Sequence, residues 1–240
     1  MATITTEYGK LSSNKTRTVY LRIRSGKTEK RINTQVKVLE SEISPRTKKI
    51  IYHYQGKPGS RSQLARDTFI LSFCLMGMNS VDLFSATNYK NGFIKYNRTK
   101  TKDRRNDEAY IEVKVHPFIK PLMKKYAGTK TVFNFCSRYN DYEGFNKNLN
   151  IGLKTVGKAV GINDLEFYQA RHTFATLSRN LMKFSKGDVD EALNHVGSFE
   201  VADIYIAKDF SIINDNNFKL IKRVFKKELA CVYRFFDGAA

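Results

Sequence analysis

The spacing of apolar residues changes character between residues 38 and 64, and this change constrains the fold more than any other feature of the chain. In RTVYLRIR (17–24), Val19, Leu21 and Ile23 alternate with polar or basic residues, the two-residue period of a half-buried strand. Ser25-Gly26 reads as a turn, and TEKRINTQVKV supplies one or two further short strands, so residues 4–38 are expected to form a small basic β module. From Leu64 the pattern is helical. Leu64, Phe69, Leu71, Phe73 and Leu75 crowd an apolar stretch ending at Gly77, and a second short helix starts near Asn79 or Ser80.

Between these parts, residues 40–63 carry Pro45, Gly56, Pro58 and Gly59 among scattered Lys and Arg, with one apolar patch at 50–54, and read as a linker. Further on, Asn91-Gly92 is a turn signal. FIKYNRTKTK and AYIEVKV are alternating runs separated by the charged DRRNDE, the pattern of a β-hairpin with a charged loop. HPFIKPLMKKYA, FNKNLNIGLKTVGKAVG, YQARHTFATLSRNLM, KGDVDEALNH and FEVADIYIA each read as helices, and residues 216–236 as a long basic amphipathic helix. The expected fold is α+β and mostly helical: a β-rich segment at 1–39, a linker at 40–63, and a helical domain with a small sheet at 64–240.

A chain of 240 residues with 41% hydrophobic content can bury one substantial core. Its 42 basic residues against 23 acidic ones give a net charge of +19. Residues 1–63 hold 14 Lys or Arg and 4 Asp or Glu, a net of +10, so about a quarter of the chain carries half of the excess. That balance suits a polyanion, and nucleic acid is expected ahead of a membrane surface, since no lipidation motif and no apolar run of roughly 20 residues is present. The start, MATITTEYGK, lacks a signal-peptide pattern, so a cytoplasmic address is expected. Cys74, Cys136 and Cys231 are widely separated and odd in number, which supports neither a disulfide framework nor a zinc site.

Two stretches carry candidate chemistry. YQARHTFATLS (168–178) puts Arg171 and His172 at a helix start, where free backbone N–H groups and the macrodipole favour an anion; a plain surface or capping role is the alternative. In ALNHVGSFEVADIYIA, His195 follows a helix and Tyr205 lies ten positions on between Ile204 and Ile206, where an aromatic residue often serves the core.

RHTFAT, LNH and IYIA, in that order and at those spacings, resemble the catalytic half of the tyrosine recombinase (phage integrase) family. LARDTFILSFCLMGMNSVDLF (64–84) is similar to the opening helices of the catalytic domain in the integrases of Bacteroidetes mobile elements, and NGFIKYNRTKT to the hairpin that follows. EYGKLSSNKTRTVYLRIRSGKTEKRINT (7–34) resembles the N-terminal arm-binding module of that branch. The resemblance implies a site-specific recombinase or integrase that cleaves and rejoins duplex DNA through a 3′-phosphotyrosine link, needing no metal, ATP or other cofactor. It also implies a homo-oligomer, a tetramer on paired sites, at the bacterial nucleoid, assisted by a host- or element-encoded DNA-bending protein. Tyr205 matches the nucleophile, Arg171 the second catalytic arginine, His195 the late His or Trp position, and Lys100 the hairpin lysine, exchangeable with Lys102 by a small register shift. Tyr168 stands at the usual His of HxxR, and His172 is a supporting residue. Arg17, Arg22, Arg24 and Lys102 are expected to contact DNA.

The chemistry suits these residue types. A Tyr hydroxyl titrates near pH 10, so a cationic pocket must favour its anion as it attacks phosphorus. The arginine fork can hold non-bridging phosphate oxygens as charge accumulates. A lysine can protonate the departing 5′ oxygen, and an imidazole can hydrogen-bond phosphate or exchange a proton.

The chain departs from the family pattern at two places. The first catalytic arginine of a GLRxSEL-like segment is replaced by Asn79 in GMNSVDL. The helical core-binding domain of about one hundred residues that completes the clamp on DNA has only residues 40–63 in its place. A second reading is therefore a catalytically impaired remnant that binds DNA and modulates an intact integrase; a third is a generic basic nucleic-acid-binding protein.

Overall fold

The computed structural model describes the backbone of residues 3–8, 16–25 and 28–39, and residues 51–195, 208–226, 228 and 229 with their side chains. The chain divides into two compact units, Met1–Lys48 and Lys49–Ala240. The first holds an antiparallel sheet of order β1-β2-β3, with β1 at Thr3–Tyr8, β2 at Thr16–Ser25 and β3 at Thr28–Leu39. The alternating RTVYLRIR is thus the central strand, and β2 and β3 pair from Ser25 opposite Thr28 onward, as the turn signal requires. Arg17 stands opposite Val38, Arg22 opposite Arg31 and Arg24 opposite Glu29.

The second unit is mostly helical around a small antiparallel sheet. Its central helix α1 (Arg61–Cys74) begins three residues before Leu64 because Ser60 caps it, accepting the Gln63 N–H at 3.3 Å. Every residue from Asp67 to Met78 is buried, so the last two turns of this helix have no solvent face, which is why its apolar stretch shows no clean 3.6-residue period. Residues 51–63, read above as the later part of a linker, belong to this unit. Ile51 is 1% exposed, and Tyr52 lies 5.4 Å from both Phe118 and Phe225, because the apolar patch that interrupts the linker-like composition is large enough to join the core.

After α2 (Ser80–Ser85) come β4 (Asn88–Lys90), β5 (Phe93–Asn97) and β6 (Tyr110–Lys114), in that sheet order. Asn91 and Gly92 both have positive φ, as a tight hairpin turn requires. The charged β5–β6 loop contains a single 3₁₀ turn at Lys102–Arg104. Among the described residues the sheet is followed by α3 (Lys120–Lys125), α4 (Phe135–Arg138), α5 (Tyr142–Val160), α6 (Gln169–Asn180) and α7 (Lys186–Ala192). Further on, α8 (Ser211–Val224) begins before the expected Asn216 because Ile213 already shares the buried face of Asn217, Leu220, Ile221 and Val224. Stacked rings bind these layers: Phe118 on Phe225 at 4.4 Å, and Phe135 between Phe133 at 5.3 Å and Phe145 at 4.7 Å. The helix expected in FEVADIYIA lies outside the described residues. Among the described residues no helix is long and apolar enough to cross a membrane, no cluster could hold a metal ion, and Cys74 and Cys136 are free thiols.

Candidate functional site

Arg171 sits in the first turn of α6 yet is only 5% exposed. The chain reversal after α1 makes room for it. Gly77 has φ +69°, and a Cβ there would lie 2.8 Å from both Cα and Cγ of Arg171. The backbone at 77 therefore rests directly on α6, and Gly77 O accepts from Arg171 Nη1 at 3.0 Å. Arg171 Nη2 donates to Leu193 O, at the end of α7. One guanidinium of the RHTFAT stretch thus ties the GMNSVDL segment to the LNH stretch.

A second buried arginine stands beside it. Ile94, Tyr96 and Arg98 share one face of β5 and its extension, and Arg98 is 6% exposed. Its backbone N–H continues the ladder to Ala109 O at 3.0 Å, and its Nη1 reaches Asn194 O at 3.2 Å. Burial, reinforced by the positive charge of Arg98, pushes the Arg171 guanidinium below its ordinary value. Neither arginine is ion-paired to a carboxylate among the described residues. The nearest acid is Asp82, 2% exposed, whose Oδ1 accepts the Thr99 N–H at 2.9 Å and whose Oδ2 has no hydrogen-bond partner among the described residues. Burial raises the Asp82 pKa, although the Thr99 bonds and both arginines pull the other way. Two like charges are thus buried under each other's influence, and Asp82, which also acts on them, bonds neither.

His195 is half-exposed, with Nδ1 3.4 Å from Asp190 Oδ1. Partial burial and then the charges of Arg171 and Arg98 push its pKa down, against the pull of Asp190. Tyr168, 51% exposed, precedes α6 and meets His172 edge-on at 4.7 Å between ring centres. Asn79 is the N-terminal cap residue of α2, with no side-chain capping bond. Lys100 and Lys102 are exposed on the turn that starts at Arg98, where Arg98 O accepts the N–H groups of Thr101 and Lys102. Tyr205 lies outside the described residues. Arg17, Arg22 and Arg24 belong to the first unit.

One expectation is corrected. The start of α6 offers no free N–H groups to an anion: those of Gln169, Ala170, Arg171 and His172 donate to Glu166, Phe167, Tyr168 and Tyr168, respectively. The turn before the helix runs into it and fills the positions that an isolated helix start would leave open. Anion binding at this place has to come from side chains.

Arg98, Arg105, Asp107 and Asn194 were not singled out from the sequence. For Arg98 the signal was present: the alternation Ile94–Tyr96–Arg98 keeps it on the inward face. Arg105 and Asp107 read as loop charges, and their bonds to residues 194 and 208 have no local signature. Searches of family models, of curated proteins and of solved structures found no match to this chain.

Proposed function

We propose that residues 49–240 are the catalytic unit of a tyrosine-type DNA strand-exchange recombinase, and that the basic β unit before them is a DNA-contacting arm. The observation that carries this reading is the buried pair of Arg98 and Arg171, both acting on the half-exposed His195 imidazole. Two desolvated guanidinium groups without a bonded carboxylate are costly in a resting protein and become favourable when an anion enters between them. A phosphodiester is the anion that the net charge of +19 anticipates.

In this reading the two forks hold the non-bridging oxygens as charge builds on phosphorus. Tyr205 Oη attacks, its proton passing to His195 or to water, and a 3′-phosphotyrosine bond forms. The bond to the 5′ oxygen breaks, and Lys100 supplies the proton to that leaving oxygen. The energy of the phosphodiester is kept in the new link, so religation needs no ATP. Duplex DNA and further copies of the chain, four on a pair of sites, are the partners this chemistry requires. Arg98 offers a second fixed charge where Asn79 offers none.

A second reading, a DNA-binding remnant that modulates an intact recombinase, is favoured by Asn79, which has no charge for phosphate. One experiment separates the two. The full chain is incubated with sheared DNA of its source genome and denatured in detergent, and the covalently attached fragments are sequenced, with Tyr205→Phe in parallel. Clustered adducts lost in the variant are expected. Enrichment of sites by native pull-down without any adduct would remove catalysis and leave the remnant.

A further inference from the structure

One loop holds both ends of the interval 196–207. At the near end Asn194, 5% exposed and at φ +51°, closes α7: its N–H bonds Glu191 O at 2.7 Å, and the His195 N–H bonds Asp190 O at 2.9 Å. These are the paired bonds of a left-handed helix cap. Asn194 O accepts from Nη1 of Arg98 and of Arg105, each at 3.2 Å, and Asn194 Oδ1 accepts from Arg105 Nη1 at 2.9 Å. Asn194 Nδ2 donates to Ala109 O at 2.5 Å. At the far end, Lys208 Nζ donates to Asp107 Oδ2. The same carboxylate receives the Arg105 fork, Nε to Oδ1 at 2.8 Å and Nη2 to Oδ2 at 2.5 Å. Burial works against this carboxylate, but the bonds from Arg105 and Lys208 outweigh it and hold Asp107 well below the usual carboxylate range.

We propose that the Arg105–Asp107 pair is a positioning device: it ties Asn194, and with it His195, and Lys208 to the β5–β6 loop that also carries Arg98 and Lys100, and thereby sets where His195 stands relative to Arg171. Two features separate it from an ordinary surface ion pair. The contact is a two-bond fork, and each partner carries a further bond to one end of the interval. The start of α8 is fixed to β6, since Lys114 N donates to Asn214 Oδ1 at 2.6 Å and Asn214 Nδ2 to Glu112 O at 3.0 Å. The effect on adduct formation rests on the strand-exchange reading; the clamp itself does not.

The test compares the full chain with Asp107→Asn, Arg105→Gln and Arg105→Lys by amide hydrogen exchange and by single-turnover adduct formation on the DNA fragments recovered in the capture experiment. In Asp107→Asn and Arg105→Gln the amides of His195 and Lys208 are expected to exchange about tenfold faster or more. Adduct formation at saturating DNA should fall by between about tenfold and a hundredfold, with the dissociation constant for the same fragment unchanged within about twofold. Arg105→Lys, which keeps the charge and loses the fork, should recover part of the rate. Unchanged exchange at both amides overturns the clamp, and faster exchange with an unchanged adduct rate overturns its positioning role. If the wild-type chain forms no adduct, the strand-exchange reading fails separately, and the exchange measurement alone decides the clamp.

Discussion

Gly77→Ala strikes the contact on which the site geometry rests. The position has φ +69°, where an L side chain costs about 1–2 kcal/mol. The added Cβ would also meet Cα and Cγ of Arg171 at 2.8 Å and its Cβ at 3.0 Å, so the backbone of α6 must move away. Overpacking of that kind adds about 1–3 kcal/mol, for a total of about 2–5 kcal/mol. In a unit of this size about 1 kcal/mol shifts Tm by roughly 2–4 °C, which puts the loss between about 4 and 20 °C. Gly161→Ala is the matched control: its φ is +75° and nothing lies within 4 Å of the added Cβ, so only the strain remains. Calorimetry of both variants beside the wild type measures the difference, and fluorescence titration with a DNA duplex reads the site. Gly77→Ala should lose more Tm than Gly161→Ala and should alone weaken DNA binding below the unfolding temperature, because the Gly77 O–Arg171 Nη1 bond moves with the helix. Equal losses in the two variants, with equal DNA affinity, would refute the claim that this close approach seats Arg171.

Two more predictions follow from the same geometry. Arg98→Met should weaken duplex binding and lower the salt slope by about one phosphate contact while leaving Tm unchanged or higher, because a buried like charge beside Arg171 is removed; a fall in Tm with unchanged DNA affinity would mean that Arg98 serves the fold alone. His116 is 1% exposed, its Nδ1 accepts the Phe118 N–H at 3.0 Å and its ring lies 4.5 Å from that of Phe218; burial, with Lys222 nearby, pushes its pKa down to about 4. The unfolded chain then binds the proton more readily than the folded one, so about 2–3 kcal/mol of stability present above pH 6.5 should drain away as the pH falls towards 4; denaturant melts of the wild type and His116→Asn check this, and parallel pH profiles would exclude His116 as the source.

The fold was legible where its signals are local. Alternation in RTVYLRIR, the Asn91-Gly92 turn and the periodic helices all gave elements near their observed bounds, because side-chain period and turn chemistry act over a few residues. The segment 51–63 was misread since Pro58 and the two glycines spoke louder than Ile51 and Tyr52, whose partners Phe118 and Phe225 are far along the chain. Within the site, Arg171 and His195 were found from motif spacing, and Arg98 was missed although its strand parity pointed inward. Asn194 meets Arg98 across 96 residues and Arg105 across 89, and no periodicity reports such a pairing.

The backbone N–H groups at the start of α6 are not open to an anion, because the turn through Glu166, Phe167 and Tyr168 takes them. Side chains must then carry the positive potential, and full charges need burial to act strongly and a counter-field to be tolerated. The described residues show both halves of that arrangement. Arg171 hangs from the carbonyls of Gly77 and Leu193, Arg98 from that of Asn194, and Asp82 opposes them without bonding either. Carbonyl dipoles fix the two cations while leaving further N–H groups uncommitted, and the unpartnered Nε of Arg98 is one of these. A carboxylate in place of the carbonyls would have neutralised the pair.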